Sequence, residues 1–344
     1  MGIKASATCQ MTFEDSIGYI IGEPNTGMKQ MFTFMNTARI GTALQGVCHA
    51  ELAFQNALWY ARERCSMRAL SGTKEQEKVA DPIIHHPNVR NMILFNKCIA
   101  EGGRAFITDL ARMLDVFEHK STSPEQKKKI DDEIGYLTPI AKACLTEWGL
   151  EAANNAVQVF GGHGFIKGNG VEQVVRDARI STLYEGTTGV QALDFIGRKV
   201  LASKTNEAAK FANRISELTR PLMFSRTPLG SHARRLWVLN KEFTLLKTRA
   251  GINAMKDRES VGAASQDFLF FSGYIVLGYY WLRMAVVAQQ KVDAGKDADG
   301  FYKAKLDTCA FYFARVLPRA DLHFTVASSS ASVLTSPNEA SWDF

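Results

Sequence analysis

No two of the six cysteines (Cys9, Cys48, Cys65, Cys98, Cys144 and Cys309) stand in a C-x-x-C pair. That scatter argues against a disulfide framework or a zinc site and for free thiols in a reducing compartment. Among seven histidines the adjacent pair His85-His86 does not present ligands as an i, i+4 helix pair does, so no metal is expected. Charge of one sign is scarce too. The formal net charge is +6, and the longest basic run, Lys127-Lys128-Lys129, follows Pro124 and Glu125 at a helix start. It reads as a solvated helix face, and nucleic-acid binding is not expected.

Long apolar runs are equally rare. The most apolar stretch, residues 268–282, contains Ser272, Gly273 and three tyrosines and lies between Asp267 and Arg283. A membrane-spanning helix needs about 20 apolar residues, so this stretch predicts a buried core helix and no membrane span. It should pack against helices at residues 229–256 and 298–317, with Tyr274 and Trp281 turning their polar atoms to partners or to the surface. The opening MGIKASATCQ has no apolar core of the signal-peptide kind, and a cytoplasmic protein is expected. Strand-like alternation is clear only at residues 8–13, where Thr8, Gln10 and Thr12 face away from Cys9, Met11 and Phe13. That is the pattern of a half-buried strand.

What the chain does have is helical periodicity. Its 344 residues, 46% hydrophobic and 22% charged, suit a globular protein of two units. Ile40, Ala43, Leu44, Val47, Phe54, Ala57, Leu58 and Ala61 recur at steps of three or four, predicting a helix over about 28–64. Residues 65–86 read as a long loop, and Pro87 as the first residue of a helix reaching about 119. Ser123-Pro124-Glu125 is a strong helix start. Pro139 then predicts a break or kink near 138. Helices follow at about 170–181, 188–202, 208–219, 229–256, 264–293 and 298–317, with a partly loose tail after Leu322. The expected architecture is mainly α. A short β piece over 1–27 would precede helical domains at 28–203 and 204–344.

Three motifs carry candidate chemistry. Tyr184-Glu185-Gly186-Thr187-Thr188 precedes a helix that Thr187 or Thr188 can cap, which places free N–H groups beside Glu185. Alone, an acid there more simply complements the helix dipole. Gln158-Val159-Phe160-Gly161-Gly162-His163-Gly164 has glycines that let backbone approach a ligand, or merely end a helix. Glu63-Arg64-Cys65-Ser66 closes a long helix, where an arginine also suits the C-terminal dipole.

Together, Q-x-x-G-G-x-G from Gln158 and R-D-A-x-(x)4-Y-E-G-T from Arg176 resemble the acyl-CoA dehydrogenase family. The resemblance runs from Met1 to about Val200. The stretch Asp81-Pro82-Ile83-Ile84-His85-His86-Pro87 and the continuation through Leu317-Pro318 resemble one branch of it. That branch carries an extra helical C-terminal domain, like broad-range fatty acyl-CoA and 3-(methylthio)propionyl-CoA dehydrogenases. The resemblance implies a four-helix-bundle-type fold and an FAD-dependent α,β-dehydrogenation of an acyl-CoA in fatty acid β-oxidation. Glu185 would abstract the α-proton while a hydride passes to flavin N5. Such a base works desolvated, because burial raises a carboxylate's pKa towards the working range, and the Glu185 N–H would help to polarise the thioester carbonyl. Gly186 would leave room for the thioester. Arg64 and Ser66 correspond to residues near the FAD pyrophosphate, Gln158, Gly161 and Gly162 to the loop at the adenosine end, and Thr187 and Thr188 to the turn against the cofactor. Asn36 and Arg39 correspond to the CoA and acyl channel.

In the family the Arg64 and Gln158 groups face the flavin of a neighbouring subunit, so a homodimer or higher oligomer is implied. Electron-transfer flavoprotein is implied as electron acceptor. His86-Pro87 stands where a glutamine is common, and Gly189 where a flavin-contacting glutamine is common. Residues 1–13 correspond to the closing strands of a β-domain that covers the flavin ring. The expectation is therefore a piece of a longer protein or a chain that needs a partner, binding FAD weakly or not at all by itself. The alternative is a truncated, non-catalytic helical assembly subunit. A related oxidase is a further possibility, although a nitroalkane oxidase has aspartate at the base position.

Overall fold

Two parallel helices of 37 residues, α1 (Gly27–Glu63) and α3 (Pro124–Phe160), form the spine of the molecule. The computed structural model describes residues 1–343, with the Thr33 side chain left aside. Between the two runs α2 (Pro87–Glu118), packed on both. Pro87 takes its first position as predicted, where a missing N–H costs nothing. Ser123 caps α3 by accepting from the Gln126 N–H at 3.2 Å, and the Gln126 side chain accepts from the Ser123 N–H at 3.2 Å. Small elements follow: α4 (Gly162–Phe165), α5 (Val171–Arg179), α6 (Thr188–Asp194) and a π-helical turn (Phe195–Leu201).

The remaining helices are α7 (Glu207–Thr219), α8 (Pro228–Lys256), α9 (Glu259–Asp293), α10 (Phe301–Phe311) and α11 (Arg319–Ala327). The tail read as partly loose thus begins with a helix, α11, seated on α9. α9 is long and apolar enough to cross a membrane by composition, yet 78% of its most apolar window is buried inside the molecule. It packs against α8 and α10, as predicted, and also against α11, α2, α3 and α6. Trp281 donates from Nε1 to the Cys98 carbonyl of α2 at 3.3 Å, and Tyr312 donates to the Tyr274 carbonyl at 2.6 Å. One contiguous apolar core therefore runs from Ile40 to Ala327.

Two expectations fail. Residues 8–13 form no strand, and Met11 and Phe13 are exposed. Alternation specifies a face that can be half-buried, but a strand exists only by pairing. Among the described residues the β pairing amounts to one bridge, Cys65 with Pro82. The break at Pro139 is also absent, because α3 continues through it. Proline in a helix interior costs about 3 kcal/mol. Every residue from 134 to 146 is buried, and each large apolar side chain so buried contributes about 1.5–3 kcal/mol. Packing outweighs the lost donor.

The α1–α3 contact is made backbone to backbone at Gly46 and Gly149. A Cβ on Gly149 would lie 2.4 Å from the Gly46 carbonyl oxygen, and one on Gly46 would lie 2.3 Å from that of Leu145. Helix propensity alone would make Gly149→Ala stabilising by up to about 1 kcal/mol. Here the added methyl meets backbone, which cannot rotate aside. Overpacking of this kind costs about 1–3 kcal/mol, so Gly149→Ala should lower stability. Denaturant unfolding checks the sign; an unchanged or raised midpoint would contradict the close contact.

Candidate active site

The Glu185-Gly186 turn lies between the 3-10 turn Ile180–Thr182 and α6. Both residues are left-handed, Glu185 at φ 58° and Gly186 at φ 92°. Glycine adopts this freely, whereas a glutamate there is strained unless its surroundings hold it. They do hold it. The Glu185 carbonyl accepts from Arg39 Nε at 3.2 Å and from Gln191 Nε2 at 2.9 Å, and the Gly186 carbonyl accepts from Lys142 Nζ at 2.6 Å. A Cβ on Gly186 would sit 2.6 Å from Gln191 Nε2, so glycine is needed there for space as well. Thr187 caps α6 by accepting from the Val190 N–H at 3.3 Å, as predicted. The buried Thr188 instead gives its hydroxyl to Glu147. Tyr184 is anchored by its hydroxyl to Gln45 on α1.

The Glu185 side chain is different from its backbone. Its Oε2 is buried without a hydrogen-bond partner, and such an atom calls for an explanation. Lys142 was not singled out from the sequence. It lies in the middle of α3, fully buried, and burial pushes its ammonium down to about 8, opposed by Glu147 and reinforced by Arg39.

A second group of predicted residues gathers where α1 and α3 end. A cleft of about 340 Å³ is lined by Arg64, Ser66, Gly161, Gly162 and His163, with Tyr60 and Phe160 among its walls. Tyr60 stacks on Phe160 at 4.1 Å and its hydroxyl meets His163 Nδ1 at 2.7 Å. Gly161, at φ 60° and ψ −139°, takes a conformation that side chains disfavour. Gln158 is exposed and its side chain is not part of this lining. The half-buried Asn36 lies one helical turn before Arg39 on α1. Arg39 and Arg64 are separated by 25 residues, roughly 37 Å along a helix, so the turn and the cleft are distinct regions of one chain.

The loop 65–86 is ordered by a residue that the sequence marked only as the start of the stretch 81–87. Asp81 is fully buried and its carboxylate accepts from the N–H groups of Ala69, Lys74 and Glu75, each at 2.9 Å, and from Arg68 at 3.1 Å. Burial by itself would raise this carboxyl, but the three N–H groups and the Arg68 guanidinium outweigh it and hold it well below the usual range. Its main chain ties down Ser66, whose N–H donates to the Asp81 carbonyl at 3.0 Å, while His86 Nε2 meets the Ser66 carbonyl at 2.7 Å.

Residues 25–201 match the family model for the acyl-CoA dehydrogenase C-terminal domain, and residues 199–336 match one described as acetyl-CoA dehydrogenase C-terminal like. The chain belongs to the acyl-CoA dehydrogenase family. It is 35% identical over 337 residues to the 3-methylmercaptopropionyl-CoA dehydrogenase of Ruegeria pomeroyi, covering 97% of this chain and 56% of that protein. It is 30% identical over 336 residues to the broad-specificity linear acyl-CoA dehydrogenase FadE5 of Mycobacterium tuberculosis, covering 92% and 54%. The chain thus spans about half the length of the curated relatives it matches. The same fold occurs in Caenorhabditis elegans ACDH-11 solved with C11-CoA, with a TM-score of 0.72 at 16% identity over 94% of this chain and 49% of that one. It also occurs in a Bacillus anthracis acyl-CoA dehydrogenase complexed with FAD, with a TM-score of 0.65 at 18% identity over 94% and 52%.

Two outcomes test this geometry. Lys142 has a folded-state value near 8 against an ordinary 10.5, so between those values the unfolded chain holds a proton that the folded one has released. Stability then rises with pH through that window. The wild type should gain on Lys142→Met between pH 8 and 10.5 in paired thermal unfolding scans, and a pH-independent difference would refute the burial. Asp81 has the opposite sign, since a depressed carboxylate adds stability at neutral pH that is lost as pH falls through its folded value. Asp81→Asn at pH 7 should speed amide exchange at Ala69, Lys74 and Glu75 while sparing α9.

Proposed function

We propose that this chain carries the proton-abstracting machinery of an FAD-dependent acyl-CoA α,β-dehydrogenase, with Glu185 as the base. The observation that carries the reading is the buried, unpartnered Glu185 Oε2 on a strained turn whose two carbonyls are both engaged. A general base needs a lone pair that no protein donor occupies and surroundings that withhold water. Oε2 has both. Glu185 takes the α-proton of the thioester as the Cα–H pair moves toward the forming α,β double bond. Its own N–H lies next to the base and suits the developing charge on the thioester oxygen. Gly186 leaves space on that side, and Asn36 and Arg39 on α1 line the approach for the acyl-CoA.

The donor set of the cleft fits a dinucleotide phosphate. Arg64 offers a guanidinium, Ser66 a hydroxyl, and Gly161 and Gly162 have open space where a Cβ would stand. These residues, with Gln158 beside them, would hold the pyrophosphate and adenosine end of FAD, and Thr187 would border the cofactor near the base. The flavin, when bound, accepts the β-hydride. The separation of roughly 37 Å between Arg39 and Arg64 along α1 supports a cleft that serves the flavin of a second copy, hence a homodimer or larger assembly. Electron-transfer flavoprotein is the acceptor this reading implies, in fatty acid β-oxidation.

In the flavin-loaded protein expressed from its complete gene, Glu185→Gln should lower turnover by about 10²–10⁴-fold. Flavin content and thermal midpoint should stay near wild type. Steady-state kinetics with an acyl-CoA and an artificial electron acceptor make the measurement. Turnover near wild type would remove Glu185 as base and leave the non-catalytic assembly reading in its place.

A further inference from the structure

Lys142 is fully buried in the middle of α3, flanked by Ala141 and Ala143, which are buried as well. Lysine is almost never fully buried unless paired, and among the described residues no carboxylate lies within ion-pair distance of its ammonium. Its hydrogen bond goes to a main-chain carbonyl, that of Gly186, at 2.6 Å. The charged groups that face it are Glu147 from α3 itself, Arg39 from α1 and Glu185 from the turn. An apolar side chain of the same length would fill this space without desolvating a charge, and such replacements are often neutral or stabilising. Packing therefore gives no reason for a lysine here. The turn it touches does.

Glu185 and Gly186 are successive left-handed residues, and strained backbone of this kind persists only where its surroundings over-determine it. Arg39 and Gln191 both hold the Glu185 carbonyl, whereas Lys142 is the side chain that holds the next one. Each peptide unit is planar and trans, so fixing the Gly186 carbonyl fixes the following N–H, that of Thr187, in the opposite direction. Once both carbonyls of the turn are turned inward, the Glu185 side chain has a defined starting point. We propose that Lys142 is a positioning residue for the base, fixing the Glu185-Gly186 turn from within α3 and thereby the direction in which the Glu185 carboxylate points. The inference rests on the reading of Glu185 as base.

The test uses the flavin-loaded protein from the complete gene and compares Lys142→Met, Lys142→Gln and Glu185→Gln. Lys142→Met should fold with a thermal midpoint at or above that of wild type at pH 7. Its KM should stay within about twofold, while kcat falls about 10²-fold, the effect of a misplacement of about 1 Å at a reacting group. Exchange of the substrate α-proton with deuterated solvent should fall in parallel, and a crystal structure of the variant should show the Gly186 carbonyl turned away. Lys142→Gln keeps an N–H donor on a shorter chain and should retain more activity than Lys142→Met. It also serves as the variant should Lys142→Met not fold. Wild-type kcat in either variant, or an unmoved turn, would overturn the assignment. The base reading fails separately: Glu185→Gln would then turn over normally. Loss in Glu185→Gln with none in the Lys142 variants would remove the Lys142 inference alone.

Discussion

The backbone contact between α1 and α3 is the constraint on which the rest depends. Gly46 and Gly149 let two long helices approach without side chains between them. Because the helices run parallel, the register set at that contact propagates in both directions. Toward their starts it brings Arg39 and Lys142 under one turn of chain, and toward their ends it brings Arg64 beside Gly161 and Gly162. A bulkier contact would move two regions together, though neither touches the glycines.

The turn at Glu185 shows why polar groups are buried in an otherwise apolar bundle. Arg39, Lys142 and Gln191 are all buried and all spend a donor on main-chain carbonyls of two successive residues. Buried donors spent in this way specify one conformation, because any rearrangement strands a donor away from water, although Gln191 Oε1 itself has no partner. The carboxylate they support is left with one oxygen unpartnered. Both carbonyls of the turn are committed while one carboxylate oxygen has no donor, an arrangement that suits the proton transfer proposed for it. At the far end, Asp81 does the same for the loop bearing Ser66, replacing regular secondary structure with four donors on one carboxylate.

α9 joins the helices on either side of residue 204, where the sequence places the boundary between two helical units. Its Trp281 bonds to α2, its Tyr280 hydroxyl reaches Asp109 at 3.0 Å, and Phe268 packs near Phe195 of the π-helical turn that follows α6. The helices after 204 thus brace the frame that carries the Glu185 turn.

By itself the sequence determined what is local. Ser123 with Gln126, Pro87, and the three-to-four spacing from Ile40 onward are signals between near neighbours, and helices formed where they predicted. The motif around Glu185 was legible too, because capping by Thr187 and the need for Gly186 depend on adjacent residues. Tertiary structure decided what depends on distant partners. Pro139 was absorbed because the surrounding turns are buried, and residues 8–13 remained unpaired because alternation carries no information about a neighbouring strand. Thr188 turned to Glu147, Gln158 stayed outside the cleft, and neither preference has a local cause. Lys142 and Asp81 look like surface residues in sequence, since charge alone says solvent. Only the packed helices show that solvent is excluded there and that main-chain groups, supplied from 44 residues away for Lys142 and from 6 to 12 residues away for Asp81, take its place.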